Sequence, residues 1–300
     1  MGIVNVSGQE LAKWRNWAKT EAVNYHVPSQ EVDWLLQDVA QLDALSLRLE
    51  SFKGRSPIPL KFSLSDLTQL WENRLKDRVP VQYLVGVTPW RNFSLKVSPS
   101  VLIPRPETEL IIDFAVKAVK DSPRNDLALG HWVDLGTGSG AIACGLAQAF
   151  PKAIIHAVDS SEAALAIAQE NANNLGFSSR INFYQGSWWT PLESLKGKIS
   201  GVLSNPPYIP TKMLSALAPE VRDHEPYLAL DGGEDGLDSL RYLINSSPDY
   251  LYSGGIWLVE MMAGQGEKVA QLLTDSTAYK DIKILSDLAG IDRFALAYCN

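Results

Sequence analysis

His131-Trp132-Val133-Asp134-Leu135-Gly136-Thr137-Gly138-Ser139-Gly140-Ala141-Ile142-Ala143-Cys144 is the stretch on which the reading of the fold turns. Trp132–Leu135 is a short apolar strand candidate, Gly136–Gly140 a glycine-rich turn, and Ala141–Ala147 a helical run. A second strand candidate, Ile154–Val158, ends at Asp159. This is a β-loop-α-β unit with an acid at the distance expected for a ribose partner. Glycines admit unusual dihedrals and let a ligand approach the main chain closely. A carboxylate at Asp159 can accept from both ribose hydroxyls, so Gly136, Thr137, Gly138, Gly140 and Asp159 are expected to hold an adenosine-containing ligand.

The turn by itself leaves the ligand open. Gly136, Gly138 and Ala141 also satisfy a permissive dinucleotide fingerprint, which keeps a nicotinamide enzyme in view. A Walker A loop is excluded, because no Gly-Lys-Ser/Thr closes the segment. Asp134 leans the choice: its carboxylate repels a diphosphate and favours a cationic methionine portion. Working downstream, residues 162–174 are helical in pattern and Ile181–Phe183 is a third strand candidate. Gly186-Ser187-Trp188-Trp189 then borders the expected adenine, with Trp188 as an apolar wall or, with Trp189, a core residue.

Ile199–Leu203 is the fourth strand candidate, and Ser204 leads from it into Asn205-Pro206-Pro207-Tyr208. Ligands of open α/β sheets gather beyond the C-terminal strand ends, the same rim that carries Gly138 and Asp159. Two prolines restrict the backbone sharply. They can hold the Asn205 side-chain oxygen and the Pro206 carbonyl as paired acceptors, with Tyr208 lying over a flat group. An amide nitrogen is a poor nucleophile because its lone pair is delocalised. Two acceptors on its N–H bonds can orient it for in-line attack on an activated methyl group. Methyl transfer from S-adenosylmethionine to a planar amide or amino nitrogen is the chemistry that fits, and no general base stands out.

Working upstream, Leu11, Trp14 and Ala18 share one helical face, Val32, Leu35, Leu36, Val39 and Leu42 another, and Leu67, Leu70, Trp71 and Leu75 a third behind Ser65. Such stripes need one another for burial, so residues 1–80 are expected to form a small helical bundle. Residues 81–103, with the β-prone Val81–Val85, read as a linker that can hold a hairpin, and 104–300 as the catalytic domain. In Ile103-Pro104-Arg105-Pro106-Glu107-Thr108-Glu109, the proline and acids suit a helix start, while Pro104 and Arg105 can wall a site.

A net charge of −7 disfavours non-specific binding of nucleic acid, which needs a broad basic surface. The first 80 residues balance 10 basic against 10 acidic groups, so the excess acid lies in the remainder. Cys144 and Cys299 lack metal-type neighbours and are expected to be reduced; the four histidines are scattered, and no metal is expected. Charged residues near the N-terminus and the lack of an 18-residue apolar run predict neither a signal peptide nor a membrane span.

With these motifs in place, the chain resembles the release-factor glutamine N5-methyltransferase family. The likeness rests on Ile103–Glu109, on Asp134–Gly140 and on Asn205-Pro206-Pro207-Tyr208-Ile209. It continues through Arg222, Glu225-Pro226, Ala229-Leu230, Gly232-Gly233, the Ile256–Glu260 strand and the Asp292–Ala297 hairpin. The resemblance implies a seven-stranded methyltransferase sheet with one reversed strand and a small helical domain that recognises a release factor; the reduced cysteines suit the cytoplasm, and a monomer is expected. It implies transfer to the glutamine of a Gly-Gly-Gln tripeptide, giving N5-methylglutamine and S-adenosylhomocysteine. Asn205 and Pro206 would then hold the amide, Pro207 and Tyr208 would pack the side chain, and Pro104 with Arg105 would enclose the pocket. Ser187 stands where many relatives carry an acid, so its contact with adenine lacks charge assistance. The rival reading is an N6-adenine methyltransferase acting on RNA or DNA.

Overall fold

A computed structural model describes residues 3–124 and 126–300. The chain divides into two compact units, one containing residues 1–86 with Pro219–His224, the other Val87–Ala218 with Glu225–Asn300.

The first unit holds β1 (Val4–Val6), α1 (Gly8–Asn24), α2 (Gln30–Val39), α3 (Ala44–Arg48), β2 (Ile58–Leu60), α4 (Leu64–Lys76) and α5 (Val81–Val85). A capping box starts α1: the Ser7 hydroxyl accepts from Glu10 N–H while the Glu10 carboxylate accepts from Ser7 N–H. The cap of α4 is Ser63, two residues before the Ser65 read from the sequence. Leu11, Leu35, Leu36, Leu67 and Trp71 meet in one core, as their helical spacing requires. Two features differ from expectation. Ile58–Leu60, inside the segment expected to be a helical bundle, is a strand that pairs antiparallel with Val4–Val6. Val81–Val85, read as β-prone, is a short helix, started by Pro80 and stopped by Gly86 at φ 76°. Proline and glycine at the ends outweigh the weak strand preference of valine.

The second unit begins with a hairpin of β3 (Val87–Trp90) and β4 (Phe93–Lys96). Trp90, Phe93 and Leu95 are buried in the sheet's own core, so the hairpin is part of this unit's packing. There follow α6 (Leu110–Asp121), β5 (His131–Leu135), α7 (Ala141–Ala149), β6 (Ile154–Asp159), α8 (Glu162–Asn174), β7 (Ile181–Gln185) and β8 (Ile199–Ser204). After α9 (Pro219–Arg222), which groups with the first unit, come α10 (Asp238–Ser246), β9 (Leu251–Glu260), α11 (Gly266–Asp275), β10 (Tyr279–Ser286) and β11 (Asp292–Cys299).

The seven strands lie in the order β10-β11-β9-β8-β5-β6-β7. β11 runs antiparallel to both neighbours and the other adjacent pairs are parallel. This is the class I S-adenosylmethionine-dependent methyltransferase sheet with its one reversed strand. Successive strand residues enter opposite layers: Trp132, Leu203 and Leu258 pack with α6 and α7, whereas Val133, Val202 and Val259 pack with α10 and α11. Period-two alternation with both faces covered explains why these strands are apolar throughout.

One glycine of this core has a steric task. A Cβ at Gly201, in β8, would lie 2.4 Å from the Trp132 ring, which is fully buried on the neighbouring strand. Gly201→Ala is expected to destabilise the protein by about 1–3 kcal/mol through overpacking, read as a lower urea midpoint.

Candidate functional site

A cavity of about 460 Å³ opens at the C-terminal ends of β5, β6, β7 and β8. Gly136, Thr137 and Gly138 line it after β5, Asp159 and Ser161 after β6, Ser187 and Trp188 after β7, and Asn205 and Pro207 after β8. Pro104 and Thr108 form another part of the wall, and Pro226–Ala229 a third.

The glycine turn is shaped by main-chain bonds. Gly136 and Thr137 N–H both donate to the Val158 carbonyl at 2.9 Å, and Gly138 N–H donates to Asp159 Oδ2 at 2.8 Å. Gly136, Gly138 and Gly140 all have positive φ, of 74°, 51° and 80°. Asp159 Oδ1 accepts from Ser161 N–H at 2.9 Å. Each oxygen still has acceptor capacity, since a carboxylate offers about four lone-pair sites. The turn therefore presents open backbone beside a fixed carboxylate that can accept further hydrogen bonds.

Trp188 lines the cavity with φ 51°, whereas Trp189 is buried and stacked on Tyr250, ring centroids 4.2 Å apart. The two tryptophans thus divide the wall and core roles between them. Ser187 is exposed at the cavity edge.

Asn205 follows β8 directly. Its side-chain nitrogen donates to the Thr108 hydroxyl at 3.3 Å, and among the described residues nothing donates to its Oδ1. The preceding Ser204 hydroxyl donates to the Leu135 carbonyl at 2.6 Å, tying the end of β8 to the end of β5. Tyr208 hangs on two anchors: its hydroxyl donates to Glu260 Oε1 at 3.3 Å and its carbonyl accepts from Gln265 at 3.1 Å.

Several residues singled out from the sequence are not among those that line this cavity. Gly140 caps α7, where a Cβ would press on Ala168 at 3.0 Å. Pro206 is buried and Tyr208 half-buried beside the lining residues Asn205 and Pro207, and Arg105 pairs with the buried Glu225. Asp134 is fully buried: Oδ2 accepts from the Thr137 hydroxyl at 2.6 Å and from Ala143 N–H at 3.0 Å, while Oδ1 has no partner among the described residues. Burial, with a smaller push from Asp159, raises its pKa to about 7, against the pull of those two donors. Its position is that of a brace under the turn.

Sequence reading quoted three residues here without giving them individual roles. Thr108 lay inside a quoted motif but carried no assigned role. Glu260 is fully buried at the end of β9 beside β8, and its place at a strand end was the signal available. Glu225, the partner of Arg105, is 120 positions away from it, beyond any local pattern. Among the described residues no group of three or more His, Cys, Asp or Glu is placed to hold a metal ion, and no helix is long and apolar enough to cross a membrane.

Comparison with known proteins agrees with this geometry. Residues 112–220 match the family model described as methyltransferase small domain. The release factor glutamine methyltransferase of Synechocystis sp. is 53% identical over 293 residues, covering 97% of both chains. That of Thermosynechococcus vestitus is 45% identical, covering 97% of this chain and 99% of the relative. Among solved structures, the hMettl16 catalytic domain, crystallised with an RNA hairpin, superposes with a TM-score of 0.54 at 14% identity and 88% coverage of each chain; this likeness concerns the fold alone.

The raised pKa of Asp134 has a consequence for stability. A carboxyl titrating higher in the folded than in the unfolded chain favours folding at low pH, and that contribution is lost as pH rises through about 7. Asp134→Asn is therefore expected to flatten the fall in melting temperature between about pH 4 and about pH 7. An unchanged slope would show that Asp134 is ionised throughout.

Proposed function

The chain belongs to the release factor glutamine methyltransferase family, and from that premise we propose that it methylates the side-chain amide nitrogen of glutamine in the Gly-Gly-Gln motif of peptide chain release factors. The donor is S-adenosylmethionine and the products are N5-methylglutamine and S-adenosylhomocysteine. The observation that carries this reading is Asn205: at the rim of the adenosine-type cradle it commits its nitrogen to Thr108 and keeps its oxygen as an acceptor.

S-adenosylmethionine brings a methyl carbon already activated by a positively charged sulfur. Asp159 holds the ribose hydroxyls, the Gly136–Gly138 backbone admits the adenosine and methionine portions, and Trp188 and Ser187 border the adenine. Asp134 supports the turn from below rather than touching the donor. Asn205 Oδ1 and the Pro206 carbonyl each accept one N–H of the glutamine amide. That pair fixes the direction of the nitrogen lone pair and favours the positive charge that develops as the N–C bond forms and the C–S bond breaks. Pro207 and Tyr208 pack the glutamine stem, and Pro104 with the Arg105–Glu225 pair closes one side. The surplus proton on nitrogen passes to solvent after transfer.

The helical unit supplies the recognition of the release factor, and the enzyme acts as a cytoplasmic monomer. Nucleic acid is not its substrate: the acidic balance of the second unit offers little to phosphates.

Labelled donor offered with an unmodified release factor and, separately, with RNA and DNA tests the acceptor; label in the release-factor glutamine is expected, and label in adenine would reject the assignment. Asn205→Ala is expected to lower kcat by about a hundredfold with donor affinity nearly intact. Asp159→Ala should do the converse, weakening donor binding by roughly ten- to a hundredfold, the worth of charge-assisted hydrogen bonds to a ribose. Isothermal titration and steady-state kinetics separate the two.

A further inference from the structure

Pro206 and Pro207 have no main-chain N–H, so the middle of the Asn205–Tyr208 segment lacks the donors that fix a strand to its neighbour. Its place therefore depends on its two ends. Upstream, Ser204 closes β8 and its hydroxyl donates to the Leu135 carbonyl at 2.6 Å. Downstream, Ile209 N–H donates to the Leu230 carbonyl at 3.0 Å and Gly232 N–H to the Ile209 carbonyl at 2.8 Å. Those two bonds join the segment to a loop, and the loop must itself be held.

Gln265 holds both. It is the buried residue that precedes α11, yet its side chain makes no capping bond to that helix. Nε2 instead donates to the Tyr208 carbonyl at 3.1 Å and to the Gly236 carbonyl at 3.2 Å, while Oε1 accepts from Met262 N–H at 2.9 Å. Gln265 N–H donates back to the Met262 carbonyl at 3.1 Å, which closes the turn that carries the side chain. Only one orientation of the amide satisfies these partners: turned over, it would set an oxygen against two carbonyls and an NH2 group against an N–H. Met262 stands two residues beyond Glu260, the end of β9, so Gln265 ties the segment and the loop to the sheet. Two glycines make room for the tie. A Cβ on Gly236 would lie 2.4 Å from the Tyr208 carbonyl oxygen and 2.8 Å from Gln265 Nε2, and one on Gly232 would lie 2.8 Å from Tyr208 Cα.

We propose that Gln265 is a positioning residue for methyl transfer: its amide fixes the downstream end of the Asn205–Tyr208 segment, and with it the place of Asn205 Oδ1 and the Pro206 carbonyl. The inference rests on the reading of the site given above, in which those two oxygens receive the N–H bonds of the acceptor. The ring-locked φ of Pro206 and Pro207 leaves little freedom in between, so a displaced Tyr208 carbonyl carries the Pro206 carbonyl with it. A misplacement of about 1 Å can cost on the order of a hundredfold in a reaction governed by alignment. The donor cradle is held by separate bonds, those of Gly136, Thr137 and Gly138 to Val158 and Asp159, so loss of the tie leaves donor binding in place.

Steady-state kinetics and isothermal titration of S-adenosylmethionine on three variants of the full chain test the tie. Gln265→Met keeps the unbranched stem and makes none of the three side-chain bonds. Gln265→Glu keeps an acceptor for Met262 N–H and has at most one proton for the two carbonyls. Tyr298→Phe is the control. It removes a buried hydrogen bond of the same length, 3.1 Å to the Ala118 carbonyl, where β11 pairs with Ile256 rather than with the Glu260 end of β9. Both Gln265 variants are expected to lower kcat by about tenfold with donor affinity within about twofold of the wild type. Tyr298→Phe is expected to keep kcat while its melting temperature falls. A Gln265→Glu enzyme as fast as the wild type would overturn the proposal, because the Met262 bond alone would then account for the residue. Equal losses of kcat and donor affinity would overturn it as well, as would a Tyr298→Phe enzyme slowed to the same degree. Should Gln265→Met fail to fold, Gln265→Glu decides alone. Turnover is read on whichever acceptor the wild type labels, so label in adenine would reject the release-factor assignment and still leave the tie to be judged. A wild type that labels no acceptor would overturn both.

Discussion

Two central strands, β5 and β8, lie side by side in parallel and end at the same level, with Leu135 opposite Ser204. Everything at the site depends on that register. It places the glycine turn that follows Leu135 beside the Asn205 segment that follows Ser204, although some 69 positions separate the two anchoring residues. The Ser204 hydroxyl on the Leu135 carbonyl fixes the junction at its last residue pair, where the ladder would otherwise fray. Residue types that line neither layer of the core, Gly201 among them, serve the same register by letting Trp132 lie flat across the neighbouring strand.

Around this rim the protein buries charge that a purely apolar core would avoid. Asp134 and Glu260 each retain one oxygen without a partner among the described residues. Removing a carboxyl group from water is costly, and a group in that position either finds donors or shifts towards its neutral form. Both do some of each: Asp134 braces the turn through Thr137 and Ala143, and Glu260 accepts from the Tyr208 hydroxyl. Arg105 and Glu225 add a third buried or half-buried charge, compensated as an ion pair. The result is a cavity whose polar atoms are held from behind, which suits a reaction limited by alignment.

The chemical parts of the site were legible because they are local. Gly136, Gly138 and Asp159 announce themselves through spacing within one β-loop-α-β unit, and Asn205-Pro206-Pro207-Tyr208 through its place after an apolar strand. Period-two and helical patterns revealed the strands and the helical bundle for the same reason. Val81–Val85 misled because valine favours strands only when a sheet is there to receive it, and here proline and glycine end-signals made a helix turn instead. Asp134 misled in another way: an acid before a glycine turn looks available to a ligand, yet its rotamer points inward to Ala143 N–H.

By itself, then, the amino-acid sequence determined the sheet class, the glycine turn with its acid at the next strand end, and the place of Asn205-Pro206-Pro207-Tyr208 after β8, since these follow from nearest-neighbour dihedral preferences and short-range periodicity. Tertiary structure alone decided which groups stand behind them. Thr108 reaches Asn205 across 97 positions and Glu260 reaches Tyr208 across 52, meetings set by how strands and helices pack, which no local spacing encodes. The way the Asn205 amide is turned exists only once those partners have met.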